Sequence, residues 1–328
     1  MIFTIILILC FLTVGYLIVN LLYKRTNAYK NDLIPYDKFC SDIPQNLRIA
    51  ILGSTYSLFA FNGIKDLQLN AYNFALPSQS LEIDNVLLRK YASHLDKGAV
   101  VVFCLAACVS YYRFDLVTNK KPYFLFMRKK EIPSFSLIDY FKYHFPLYGK
   151  GIKKAVRLFF DVPPKVGLYT NFSPSVPYEE TRKNMRGMAE GWINLFKLKD
   201  LKHENQDSLN KSNLSYNTSL LNSMFRFCQS RSLCPVVVIP PFSSELNQYF
   251  DNEFVDCSLI KMIKEAKEDM LIPVLDYRTN EIFQHNSSLY VDGGFRLNNH
   301  GSKKFIRMVL HELSLKGYCL TNETIGIG

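Results

Sequence analysis

Four short apolar runs constrain this chain most. They are LRIAILG at 47–53, AVVVFCL at 99–105, CPVVVIPP at 234–241 and MLIPVLDY at 270–277. An unbroken apolar run of this length, closed by Gly or Pro, reads as a strand buried on both faces. The fourth run carries Pro273, which removes a ladder donor and predicts a shorter strand. Helical patterns separate the runs. In 81–95, Leu87, Leu88, Tyr91 and Leu95 form an apolar stripe, and further helices are predicted over 209–231, 254–269 and 303–315. Strands buried on both faces and alternating with helices predict an α/β fold: a three-layer α/β/α domain with a mostly parallel sheet, over 47–328.

Residues 1–22 obey a different rule. MIFTIILILCFLTVGYLIVNLL holds no charge, and only Thr4, Thr13 and Asn20 are clearly polar. As a helix rising ~1.5 Å per residue it spans roughly 33 Å, enough for a bilayer core. A cleaved signal peptide needs a basic start, a shorter apolar run and a small-x-small cleavage site, and none is present. The run therefore predicts an uncleaved single-pass transmembrane anchor, with 23–46 as a linker. Lys24, Arg25 and Lys30 follow the run and no basic residue precedes it, which leans towards a cytoplasmic body, with the side left open. Seven of the eight cysteines lie beyond the run, an odd number for a full disulfide framework. No CxxC pair and no metal-spaced histidines occur, so neither a metal nor another cofactor is expected. Apolar residues make up 48% of the chain and charged ones 21%, which excludes a disordered polymer.

Residues 111–204 break the alternation and read as an insertion, largely helical or irregular. Within 119–157 there are ten Lys or Arg against Glu131 and Asp139, a local excess of eight in a chain of net charge +10. Nine aromatics, from Tyr123 to Tyr148, are interleaved with them. That mixture suits anionic lipid headgroups or an acidic glycan, and equally a solvated face over an aromatic core. The apolar run on the same chain favours membrane lipid over nucleic acid, so no nucleic-acid partner is expected.

Three blocks carry a family resemblance. IAILGSTYSLF at 49–59 is a strand, a Gly turn and hydroxyl residues opening a helix. NFALPSQS at 73–80 precedes a long helix and the strand KGAVVVFCL, and VDGGFRLNNHGSKKF at 291–305 opens the last helix. In this order and at strand ends, the blocks resemble those of the SGNH/GDSL hydrolase-like family. With the apolar run, the chain looks most like the membrane-anchored members of bacterial surface-polysaccharide gene clusters. The resemblance implies the three-layer fold, an inner-membrane setting and acyl-ester chemistry at a sugar hydroxyl.

Residue by residue, the resemblance also implies altered catalysis. The family's Asp falls on Ser54 and its nucleophile on Thr55. Its oxyanion-hole Asn block begins at Asn73, and the oxyanion Gly falls near Ser78. Its general base falls on Arg296, and the Asp three residues earlier falls on Gly293, with Asp292 one place away. Arginine stays protonated and cannot accept the hydroxyl proton. Ser54, Thr55, Asp292 and His300 remain as formal catalytic candidates, and Ser78, Asn73, Arg296 and Asn298 as substrate-binding ones. The expected function is binding of an anionic glycan or lipid-linked sugar without ordinary Ser-His catalysis. The alternative is a carbohydrate O-acyl esterase or O-acyltransferase with a non-standard site.

Overall fold

The structure is a computed structural model, and it describes residues 1–67, 69–117, 119–160, 177–198 and 206–318. The chain divides into two compact units, Met1–Ile43 with Thr118–Thr170, and Pro44–Val117 with Asn171–Gly328.

The second unit holds a five-stranded sheet: β1 (Leu47–Leu52), β2 (Ala71–Asn73), β3 (Leu95–Cys104), β4 (Cys234–Ile239) and β5 (Val274–Asp276). The order is β2-β1-β3-β4-β5 and every pairing is parallel. Helices lie on both sides, so the expected α/β layering is present. In register, Ile51 faces Val102 and Val102 faces Val236, which stacks three β-branched residues across the sheet centre. Their burial is essentially complete.

The strands end where local chemistry dictates. β1 stops at Gly53, whose φ of +128° a side chain rarely tolerates; a Cβ there would lie 2.5 Å from the Cys104 carbonyl. β5 starts directly after Pro273, which contributes its carbonyl, not a donor, to Val237 N–H at 2.9 Å. Three details depart from the sequence expectation. β2, an edge strand of three residues, was too short and too polar at Asn73 to register as a run. The helix predicted to reach residue 95 ends at Tyr91, because a 3-10 turn at Ala92–His94 hands the chain to a β3 that begins at Leu95. The pattern over 254–269 forms Asn252–Val255, a π-helical turn at Asp256–Ile260 and Lys261–Lys267.

The first unit is built around helix Ile2–Tyr23. Its mean hydropathy is 2.8 and its apolar side chains are exposed, so it is long and apolar enough to cross a membrane, as a signal sequence also is. Only its last turns are buried, at Asn20 and Tyr23. Asn20 Oδ1 accepts from Leu147 N–H at 3.0 Å, and Tyr23 packs with Ala28, Leu147 and Phe159. Residues 23–46, read from sequence as a linker, carry helix Asn27–Leu33 and a 3-10 turn at Asp37–Phe39. The reason is apolar content: Tyr36 and Phe39 are buried against Tyr123 and Phe126. Those contacts also assign part of the basic-aromatic stretch to a core. By contrast Leu137, Ile138, Phe141 and Tyr148 stay exposed.

Of the region 111–204, residues 118, 161–176 and 199–204 lie outside the described residues. Of the remainder, the described residues of 119–160 group with the first unit and helix Tyr178–Phe196 with the sheet-bearing unit.

Candidate functional site

In an open parallel sheet, side chains with chemistry collect beyond the strands' C-terminal ends. Here the turns after β1, β2 and β3 meet in one pocket of about 170 Å³. Its floor holds Ser54, Thr55, Ser78 and Gln79, and Tyr112 stands beside them. Trp192 and Phe196 of helix Tyr178–Phe196 and Phe295 of the loop before the last helix supply an aromatic wall. Trp192 meets Phe295 edge-on with centroids 5.3 Å apart, and Phe242 backs Phe295 at 5.5 Å.

The floor is held by hydrogen bonds that run from backbone to hydroxyl. Ser54, the N-cap of helix Thr55–Ala60, accepts at Oγ from Gln79 N–H (3.1 Å). Thr55 Oγ1 accepts from Ser78 N–H (3.2 Å). Ser78 adopts φ +52°, and its carbonyl accepts from the Tyr112 hydroxyl at 3.0 Å. The Ser78 amide, at the position near which the resemblance puts an oxyanion donor, is therefore turned onto the Thr55 hydroxyl, and the Gln79 amide onto that of Ser54. Asn73 sits beneath: its Nδ2 donates to the carbonyls of Ser57 (3.3 Å) and Leu58 (3.4 Å), and its Oδ1 accepts from Ala75 N–H at 3.0 Å. It fixes the turn and does not line the pocket.

One carboxylate lies behind this floor. Asp84, on helix Leu81–Tyr91, is buried and accepts at Oδ1 from Gly53 N–H at 2.9 Å and from the Gln79 side-chain amide. Burial pushes its pKa up to about 7, and the two donated hydrogen bonds oppose that rise. Gln79 thus bridges the carboxyl, by its side chain, to Ser54, by its main chain.

The last block is organised around a different ion pair. Asp292 Oδ1 accepts from the N–H groups of Gly294 (3.3 Å), Phe295 (2.9 Å) and Arg296 (3.0 Å), and Oδ2 accepts from Arg296 Nε at 2.8 Å. The Arg296 guanidinium lies 5.3 Å over the Phe59 ring. Gly293, where the resemblance would put an Asp, has φ +89° and packs its Cα against Thr181, so no side chain fits there. Asn298 caps helix Asn299–Leu315, accepting from Gly301 N–H at 2.9 Å and donating to the Ser288 carbonyl at 2.7 Å. His300 is exposed on that helix's first turn.

Of the residues singled out in the sequence, Ser54, Thr55 and Ser78 come together in the pocket. Asn73, Asp292, Arg296, Asn298 and His300 are not among the residues lining it. Asp292 is bonded to Arg296 and to its own loop, which leaves the set of Ser54, His300 and Asp292 unassembled. No described residue lining the pocket is a histidine, a carboxylate, a lysine or an arginine.

Sequence reasoning passed over Gln79, Asp84, Trp192 and Phe295. Trp192 had a signal: it is the single Trp of the chain, on a stripe with Met185, Met188 and Ala189 at helical spacing. Asp84 was concealed as an ordinary first-turn acid. Asn217, on helix Ser208–Ser230, was also missed; its Nδ2 donates to the carbonyls of Val109, Ser110 and Tyr112 and so fixes the pocket's β3 side.

No family model matches the chain, and no curated protein matches it. Among solved structures, the chain is similar to a candidate acylhydrolase from Bacteroides fragilis NCTC 9343, with a TM-score of 0.40 and 10% identity, covering 86% of this chain and 95% of that one.

Proposed function

We propose that this chain is a membrane-anchored, SGNH-like binding protein of surface-polysaccharide synthesis or modification, which holds a lipid-linked sugar without Ser-His catalysis. One observation carries the reading: the floor hydroxyls of Ser54 and Thr55 accept hydrogen bonds from backbone amides, and no described residue lining their pocket is a base. A hydroxyl nucleophile must lose its proton as it attacks, and the described lining offers no general base to take it. What the pocket offers is a sugar-sized set of neutral hydroxyls beside Trp192 and Phe295. Those groups suit an uncharged sugar ring, polar at its edge and apolar on its face. Arg296 is paired with Asp292 and is not among the described residues lining the pocket, so the pocket suits the uncharged part of a ligand. In the first unit, the basic stretch 119–157, with exposed Leu137, Ile138 and Phe141, suits an anionic membrane surface.

The test uses the full chain in neutral detergent. A fluorophosphonate probe should leave the intact mass unchanged, and p-nitrophenyl acetate should be hydrolysed no faster than in buffer. Neutral monosaccharides should perturb the fluorescence of Trp192. Hydrolysis that disappears in Ser54→Ala or Thr55→Ala would instead establish an esterase or acyltransferase with a non-standard site.

A further inference from the structure

The first unit carries a second pocket, of about 200 Å³, that the reading above does not use. It is lined by Lys121 and Lys150, by Asn119, and by Tyr29 and Tyr143, with Asp32 also in its wall. The geometry points to a phosphate site, and we infer that this pocket holds the phosphate head group of a membrane lipid or lipid-linked sugar.

Four observations support this. First, both ammonium groups are partly buried, and among the described residues neither makes an ion pair. Lys150 is nonetheless positioned: its Nζ donates to the Tyr23 hydroxyl at 3.0 Å and lies 4.8 Å over the same ring. Second, Lys24 adds a cation at the edge, 5.9 Å over the Tyr143 ring. Third, burial and the nearby Lys150 and Lys142 lower the pKa of Lys121, while Asp32 and Asp139 offset this. A bound dianion would remove that repulsion. Asp32 is the one acid among the described wall residues and is exposed, whereas Lys121 and Lys150 are partly buried. Fourth, Tyr23, the last residue of the 22-residue apolar helix, lines this pocket. If that helix spans a bilayer, the pocket stands at headgroup level, where lipid phosphates lie. The phosphate chemistry rests on the pocket alone; its lipid source rests on the membrane reading.

The experiment uses the full chain in dodecyl maltoside and isothermal titration calorimetry with four water-soluble probes. These are dioctanoyl phosphatidic acid, dioctanoylglycerol, dioctanoyl phosphatidylcholine and inorganic phosphate. Phosphatidic acid should bind at least tenfold more tightly than the other three. Lys121→Gln and Lys150→Gln should each weaken it at least tenfold, Lys121→Arg should retain it, and Lys129→Gln, elsewhere in the same unit, should leave it unchanged. Circular dichroism of each variant separates lost binding from lost folding. Dioctanoylglycerol binding equal to phosphatidic acid, or wild-type affinity in both Gln variants, would overturn the site. Inorganic phosphate binding as tightly as phosphatidic acid would overturn the lipid source. Flotation of the full chain with phosphatidylcholine vesicles tests the span separately, so its failure is not confused with failure of the pocket.

Discussion

The buried carboxyl of Asp84 makes the stability of the sheet-bearing unit depend on pH. In the fold, burial raises its pKa from 3.8 to about 7. A carboxyl raised on folding binds more protons in the native than in the unfolded state between those two values. Its contribution is therefore fully present below pH 3.8, declines as pH rises, and is gone above about 7. The interval is about three pH units at ~1.4 kcal/mol each, on the order of 4 kcal/mol, a large share of a domain's stability. Tyr56 and Cys104 face the same carboxyl, but burial raises both beyond this window, so neither confuses the profile. The perturbation is Asp84→Asn, which keeps an Oδ1 acceptor for Gly53 N–H and the Gln79 amide but cannot ionise. Trp192 lies in this unit and is the chain's single Trp, so its fluorescence reports urea unfolding there and not in the first unit. Between pH 5 and pH 8 the wild-type midpoint should fall, whereas the variant's should stay nearly level and exceed the wild type at pH 8. Parallel profiles for the two proteins would refute the reasoning, because the pH dependence would then lie elsewhere.

Four further outcomes are expected. Gly53→Ala should cost about 2–4 kcal/mol by urea unfolding, since its Cβ would lie 2.5 Å from the Cys104 carbonyl and 2.8 Å from Ser57 Cβ at a backbone angle that disfavours side chains. Asn217→Ala removes the donor to the Ser110 and Tyr112 carbonyls, while Val109 keeps the Tyr112 N–H, and should cost about 1–3 kcal/mol while altering Trp192 fluorescence. Arg296→His should gain no p-nitrophenyl acetate hydrolysis, because residue 296 is held on Asp292 and over Phe59 and does not line the pocket of the floor hydroxyls. Deleting residues 1–19, which spares Asn20 and Tyr23, should abolish flotation with neutral vesicles yet leave weak binding to anionic ones that salt releases.

The parts of the fold legible in the sequence were those set by burial alone. Val100–Phe103 and Val236–Ile239 are apolar because both faces of the central strands are covered, and an apolar run is what that looks like in one dimension. Edge strand β2 has one neighbour and three residues, so it left no run. The stretch 111–204 looked uniform because its described residues form no strand, yet its pieces answer to different partners. Tyr123 packs on Tyr36 of the first unit, while Trp192 packs on Phe295 of the second. Periodicity reveals that a residue has an apolar face; it does not name what that face covers.

The candidate site follows the same logic more severely. Ser54, Thr55 and Ser78 were legible because each sits within two residues of a strand end or turn that the sequence fixes, Gly53 above all. The last block was legible as a helix start, and Asn298 does cap that helix, but the inward side chain could not be read from spacing. Matching Leu297 and Gly301 to the family pattern puts Arg296 at the base position. In three dimensions, the Asp292 carboxylate gathers the amides of residues 294–296 into a tight turn. That turn sends Arg296 back onto Asp292 and places Phe295 in the pocket. Gly293 admits no side chain, because a Cβ there would meet Thr181, and the Asp292 turn presents the aromatic face of Phe295 to the pocket. Arg296→His alone should therefore create no hydrolysis, because the turn that positions residue 296 is made by Asp292.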